Sequence, residues 1–171
     1  GFQMHGELLM YKDGALLPRQ LGNGMFNSIQ QGGELEPGCV PVYVAWDIIP
    51  ENQAKAKNKY RVSYASRFAQ LSKEILHSAG SGANAPLQLV TTKVVYSMAE
   101  ANAHYKEMLE AGFEGTIIKN PEMIWEDTTS KHQVKMKLEA ECDLRITGFR
   151  PGKGKNEALF GSIIGETSDG L

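Results

Sequence analysis

The chain has 171 residues, of which 42% are hydrophobic and 22% charged, and its formal net charge is -2. This composition is typical of one well-buried domain, or of one domain with part of another. The charge argues against a general electrostatic binder of nucleic acids, because affinity for phosphates depends on clustered Lys and Arg. The chain has no run of roughly 18 apolar residues that could span a membrane, and it has no export signal, so we expect a cytoplasmic protein. Its two cysteines have no paired spacing, which argues against a zinc site or disulfide framework.

The first half of the chain predicts a sheet with a helix packed on it. The Asp13-Gly14 step favours a tight hairpin turn. A later stretch has apolar residues at steps of three and four, which is typical of an amphipathic helix. We predict strands at residues 2–11, 15–17 and 40–46, a loop-rich connection at residues 22–33, and a helix at residues 63–79 that ends at Gly80.

The second half predicts another helix and several short strands. Ser97 and Glu100 have the spacing of a capping box, which marks a helix start, and Gly112 marks its end. Stretches rich in β-branched residues predict strands. We place these strands at residues 87–95, 116–119, 134–138, 144–149 and 159–165.

Four short stretches contain residues suited to a nucleotide site, although each alone has an ordinary structural explanation. Glu7 is a strand carboxylate beside glycine, and Trp46 is a strand aromatic that could stack on a base. Glu114 begins a strand and could serve Mg²⁺. Lys135 and Lys137 point to the same face of a strand, where their mutual repulsion is relieved if phosphates lie over them.

The order of these stretches resembles the motifs of the covalent nucleotidyltransferases, which include DNA ligases, RNA ligases and capping enzymes. Residues 44–50, 60–68 and above all 112–148 are similar to ATP-dependent DNA ligases of the T-even phage type. The resemblance implies an α+β fold, in which an ATP-grasp-like adenylation domain of antiparallel sheets with flanking helices is followed by the start of an OB-fold. We expect the adenylation domain, without its N-terminal part, at residues 1–141 and a truncated OB-fold at residues 142–171.

The resemblance also implies a function for the parent enzyme. Such ligases are monomers that seal nicks in double-stranded DNA through enzyme-AMP and DNA-adenylate intermediates, using ATP and Mg²⁺ and no membrane. The implied site residues are Glu7 at the ribose, Trp46 and Ile117 at the adenine, Glu114 at the metal, and Lys119, Lys135 and Lys137 at the phosphates.

Two features depart from the family pattern. His5 stands where the family usually has Asp. The family nucleophile belongs to a Lys-x-Asp-Gly motif expected before the Glu7 strand, and the sequence Lys12-Asp13-Gly14 has the wrong spacing and position for it. We therefore expect a fragment that cannot form AMP-lysine alone.

Three alternatives remain open. The nearest is an RNA ligase or a capping nucleotidyltransferase, which shares the core motifs. The second is a non-catalytic derivative that binds nucleotides or nucleic acids, and the upstream gene sequence would distinguish it from a ligase. The third is a structural α+β domain with fortuitous motifs, which would show no ATP-dependent thermal shift.

Overall fold

The computed structural model describes residues 1–78, 85–138 and 143–167. The chain divides into two compact units, Gly1–Met136 and Lys137–Leu171. The predicted boundary between residues 141 and 142 and the predicted helix end at Gly80 lie outside the described residues. The strands are β1 (Phe2–Lys12), β2 (Ala15–Leu16), β3 (Cys39–Pro50), β4 (Lys59–Tyr60), β5 (Leu87–Leu89), β6 (Gly115–Lys119), β7 (Trp125–Glu126), β8 (Gln133–Lys137), β9 (Arg145–Pro151) and β10 (Phe160–Glu166), and the α-helices are α1 (Arg19–Gln30), α2 (Tyr64–Ser78) and α3 (Met98–Glu110).

The largest sheet has the strand order β2-β1-β3-β5. The predicted hairpin joins β1 to β2, and Asp13 and Gly14 both have positive φ, at 52° and 83°, as a two-residue hairpin turn requires. β1 runs antiparallel to β3 over the full length of both strands. β5 pairs parallel to β3, so the sheet is mixed, whereas we expected antiparallel pairing throughout.

Helix α2 covers this sheet, as its apolar periodicity predicts. Leu71 is fully buried and forms a core with Ala45 and Ile48 of β3. Phe68 and Ile75, one turn away on either side, pack against that core. The predicted apolar face is thus confirmed at Phe68, Leu71 and Ile75, whereas Leu76, which the same periodicity assigns to it, is 67% exposed. The α+β class is confirmed.

The loop-rich connection predicted at residues 22–33 is wrong, because most of it belongs to helix α1. Glycine disfavours an isolated helix, but tertiary packing can override this propensity. Gly22 is buried against β1, where an added Cβ would meet the Cβ of Met10 at 3.3 Å. Here glycine allows the helix to approach the strand closely.

The capping box at the start of α3 is confirmed in its main contact, since the Ser97 hydroxyl accepts a bond from the Glu100 amide at 3.2 Å. The Glu100 carboxylate accepts from Tyr96 N, one residue earlier than expected. The strand predicted at residues 87–95 is shorter in the structure, because only β5 forms there. The two-residue pair β4–β7 was not predicted.

The second unit contains β9 and β10, which pair antiparallel as a separate two-stranded sheet. Phe149 and Phe160 from the two strands have ring centroids 5.3 Å apart. The assignment of residues 142–171 to an OB-fold stays a prediction.

Candidate functional site

A β-bulge in the largest sheet determines where Trp46 lies. In the β1–β3 register, His5 is opposite Asp47 and Gly6 is opposite Ala45, so Trp46 has no partner on β1. Bulges redirect side chains and are common near functional sites. Gly6 permits this geometry, because an added Cβ would lie 2.5 Å from the Val44 carbonyl oxygen. The glycine in the His-Gly-Glu stretch therefore has a packing role beside Trp46.

Next to Trp46, Asp47 forms a buried ion pair with Arg67 of α2. Arg67 Nε donates to Asp47 Oδ1 and Arg67 Nη2 donates to Asp47 Oδ2, both at 2.8 Å. Arg67 is 1% exposed and Asp47 5%. The Arg67 Nη1 atom also donates to the carbonyls of Val62 and Met123. This two-point geometry locks the orientation of α2 relative to β3.

The start of α2 is also bonded to the turn that follows β6. Tyr64 N donates to the Met123 carbonyl at 2.8 Å, and Ala65 N donates to the Pro121 carbonyl at 2.9 Å. Because Arg67 reaches the same Met123 carbonyl, the turn is held by both a backbone amide and a side chain of the helix. Strand β3, the start of α2 and the turn after β6, which are distant in sequence, thus meet at one buried arginine.

At this junction the ammonium group of Lys119 lies against two aromatic rings. Its Nζ is 4.4 Å from the centroid of the Tyr64 ring and 5.6 Å from that of the Trp46 ring. Both distances are within the range of cation–π attraction. Burial lowers the pKa of Lys119 to about 8, with the Arg67 charge acting in the same direction and Asp47 opposing it. Burial raises the pKa of Tyr64 to about 12.

Trp46, Asp47, Arg67 and Lys119 line a cleft of about 440 Å³. The rest of its wall comes from His5 and from residues 123–130 and 133. The His5 Nε2 atom is buried and has no hydrogen-bond partner among the described residues, and desolvation is the main cause lowering the pKa of this histidine. The cleft therefore combines aromatic surface with a lysine ammonium, a combination that suits a base and a phosphate.

A second charged cluster lies on β6 and β8, which are hydrogen-bonded neighbours. The Glu114 carboxylate, just before β6, pairs with Lys135 of β8 at 3.0 Å and with Arg19 of α1 at 2.8 Å. All three side chains are substantially exposed to solvent. The predicted metal carboxylate and one predicted phosphate lysine are thus in direct contact.

The structure brings the predicted residues together in two pairs, Trp46 with Lys119 and Glu114 with Lys135. Glu7 is exposed on β1 opposite Val44, and Ile117 is 46% exposed on β6, but neither lines the cleft. Lys137 is the last residue of β8 and is exposed. The roles of these residues stay predictions.

Sequence reasoning gave no functional role to Tyr64, Arg67 or Arg19, although each contacts a predicted site residue or its neighbour. Tyr64 follows the apolar periodicity of the helix predicted at residues 63–79, which indicates a packing residue, and it is buried. Arg67 had no local signal, because arginine is rarely buried and its partner is 20 residues away. Arg19 was missed because α1 was not predicted as a helix.

No cluster of three or more His, Cys, Asp or Glu side chains that could hold a metal ion occurs in the part of the chain that the structure describes. Mg²⁺ in nucleotide sites is commonly held by one or two carboxylates with phosphate and water completing its shell. The single exposed carboxylate of Glu114 beside Lys135 fits that arrangement. No helix among the described residues is both long and apolar enough to cross a membrane.

The fold and the motif residues define a class of protein. Residues 2–137 match the family described as the ATP dependent DNA ligase domain, and the chain belongs to this family. It is 31% identical over 154 residues to the DNA ligase of Enterobacteria phage T4, and equally to that of phage T6. These matches cover 89% of this chain and 30% of each phage protein, so the chain spans less than a third of these relatives.

Solved structures of ligases have a similar fold. A structure from a study of Lig E DNA ligases matches with a TM-score of 0.59 at 16% identity, covering 98% of this chain and 59% of that one. The ATP-dependent DNA ligase of bacteriophage T7, in complex with ATP, matches with a TM-score of 0.57 at 20% identity, covering 98% of this chain and 56% of that one. At these identities the likeness concerns the fold alone.

Proposed function

We propose that this chain forms part of the nucleotide-binding core of an ATP-dependent DNA ligase. The observation that carries the proposal is the position of Trp46, which a bulge places in a cleft with the Lys119 ammonium 5.6 Å from its ring centroid. An aromatic surface favours stacking of a base, and a nearby cation favours binding of a phosphate. The proposed ligands are ATP and Mg²⁺, and the proposed substrate of the complete protein is nicked duplex DNA.

In this proposal Trp46 stacks on the adenine and Ile117 covers its other face, while Glu7 binds the ribose. Lys119, Lys135 and Lys137 contact the phosphates, whose charge increases in the transition state of phosphoryl transfer. Mg²⁺ would be held by Glu114 and would neutralise phosphate charge. We propose that the complete protein acts as a monomer in the cytoplasm, that of the host if it is a phage protein.

Adenylate formation itself requires a nucleophile. None of the lysines in this chain lies in a Lys-x-Asp-Gly sequence. We therefore expect the 171 residues to bind ATP without forming AMP-lysine. Incubation with labelled ATP and Mg²⁺, followed by acid precipitation, measures this directly, and an acid-stable label on the chain would contradict our motif assignment.

Nucleotide binding is tested by calorimetric titration of the chain with ATP and Mg²⁺. Stacking on an aromatic side chain contributes about 1 to 3 kcal/mol, so Trp46→Ala should weaken binding by roughly 5- to 150-fold. Tyr96→Ala is the matched control, because this aromatic side chain is 89% exposed and lies outside the cleft. Equal affinities of the two variants would refute the proposed site.

The ligase activity is tested in the complete protein by sealing of a nicked duplex. Lys135→Ala and Glu114→Ala should each abolish sealing, since they remove a phosphate contact and the metal carboxylate. Lys106→Ala is a suitable control, because this lysine is exposed on α3, away from the cleft. Full sealing by the Lys135→Ala protein would rule out its assigned role.

A further inference from the structure

Behind one of the lysines that line the cleft is an aromatic residue, Tyr64, to which the motif pattern gives no role. Tyr64 is 8% exposed at the start of α2, and its ring centroid is 4.4 Å from Lys119 Nζ. This distance is shorter than the 5.6 Å from the same nitrogen to the Trp46 ring. Tyr64 is thus the nearer of the two aromatic faces that the Lys119 ammonium meets.

Aromatic rings are the partners of the Lys119 ammonium group among the described residues. Within the described ranges, no carboxylate lies at ion-pair distance from the Lys119 ammonium group. The Lys135 ammonium group, by contrast, lies 3.0 Å from Glu114. Aromatic rings attract a cation without neutralising its charge, so the charge remains available to an anion. A carboxylate in the same place would compete with a phosphate.

Tyr64 is itself held rigidly. Its backbone amide donates to the Met123 carbonyl at 2.8 Å, and its ring packs against the ring of Phe68, with centroids 5.8 Å apart. The guanidinium of Arg67 lies 5.8 Å from the Tyr64 ring centroid and is fixed by Asp47. The ring therefore has a defined position relative to Trp46, the neighbour of Asp47 in β3.

We propose that Tyr64 is a positioning residue for nucleotide binding, whose ring holds the Lys119 ammonium beside Trp46 so that it meets the phosphates of a base-stacked nucleotide. This inference rests on the proposed function, because it assumes that Trp46 stacks on the base and that Lys119 contacts phosphate. Tyr64 acts through Lys119 and need not touch the nucleotide.

The first test uses the unliganded wild-type chain. A group above an aromatic ring experiences a ring-current shift, so the ε-methylene protons of Lys119 should resonate upfield of those of the other lysines in the NMR spectrum. Assignment by Lys119→Arg identifies the signal. An ε-methylene signal at the ordinary lysine position would overturn the proposal without any Tyr64 variant being required.

The second test compares the affinities for ATP and adenosine. Tyr64→Leu should weaken ATP binding by roughly 3- to 30-fold, the range expected when a cation–π contact is lost, and leave adenosine affinity unchanged. Tyr64→Phe keeps the ring and should bind both ligands like the wild type. A general loosening of the site would instead weaken the binding of both ligands. Weaker binding of both ligands by Tyr64→Leu, or an unchanged ATP affinity in this variant, would refute the role of Tyr64.

The Trp46→Ala variant separates this inference from the proposed function. It should lose affinity for both ATP and adenosine, since both carry the base. Retention of both affinities in Trp46→Ala would contradict the proposed function itself. Loss of both affinities there, together with an unchanged ratio of ATP to adenosine affinity in Tyr64→Leu, would reject Tyr64 alone.

Discussion

Replacement of Arg67 by Met tests the buried ion pair that joins α2 to β3. The substitution keeps an unbranched but shorter side chain and removes every donor. Asp47 would lose both 2.8 Å bonds from the guanidinium and keep the bond from Ile48 N at 2.9 Å. The carboxylate would then stay buried without its counter-charge, and the Val62 carbonyl would lose its bond from Arg67.

The expected loss of stability is large for the replacement of one side chain. Breaking a buried ion pair by removing one partner typically costs about 3 to 5 kcal/mol, against a total stability of about 5 to 15 kcal/mol for a domain. With a urea dependence of about 1 to 3 kcal/mol per molar, the midpoint of unfolding should fall by at least roughly 1 M. Lys93→Met is the control, because it breaks an exposed 3.4 Å pair and should cost at most about 1 kcal/mol.

Tryptophan fluorescence during urea unfolding is a suitable assay, because both tryptophans of the chain lie in the unit Gly1–Met136. The double variant Asp47→Leu/Arg67→Met should recover much of the lost stability, since apolar replacement of a whole buried pair is often nearly neutral. If the double variant loses as much stability as Arg67→Met and Asp47→Leu lose when added together, the residues are not coupled and the pair does not stabilise the junction.

Two further predictions follow from Lys119 and from the glycines. The lowered pKa of Lys119 means that the unfolded chain holds this proton more tightly than the folded chain between about pH 8 and 10.5, so this residue makes the unfolding free energy rise with pH there. Lys119→Met should therefore be more stable than the wild type at pH 7, and this difference in stability should disappear toward pH 10.5. The affinity of the wild type for ATP should decrease above about pH 8, because the ammonium group loses its charge. Urea unfolding and ATP titration across this range measure both effects. If the affinity of the wild type for ATP does not change between pH 7 and 10, a phosphate contact by the charged lysine is excluded. Gly6→Ala should lower the free energy of unfolding by about 1 to 3 kcal/mol, because its Cβ would lie 2.5 Å from the Val44 carbonyl oxygen. Gly24→Ala, in open space on α1, should raise the free energy of unfolding by about 0.5 to 1 kcal/mol. Thermal unfolding compares the two, and equal effects would show that the bulge has room for a side chain.

Several features of the fold could be predicted because their causes are local in sequence. The Asp13-Gly14 turn follows from the backbone preferences of those residues, and the start of α3 follows from the Ser97 hydroxyl. The buried face of α2 follows from apolar spacing. Helix α1 could not be predicted in the same way, because Gly22 is explained only by the strand against which it packs.

The sequence alone determined the family, since an ordered set of short motifs survives at 31% identity to the phage relatives. It also predicted a set of site residues from their motif positions, and their roles stay predictions: Glu7, Trp46, Glu114, Ile117, Lys119, Lys135 and Lys137. Each motif consists of residues that are neighbours in the chain, so it could be identified without knowledge of the fold.

Only the tertiary structure decided how these residues are held. The Asp47–Arg67 pair, the Tyr64 ring beside Lys119 and the contact of Arg19 with Glu114 all join segments that are distant in sequence. A sequence pattern records what each residue is, whereas an ion pair or a ring contact depends on where folding places two residues. Such contacts become visible only when the strands and helices are packed.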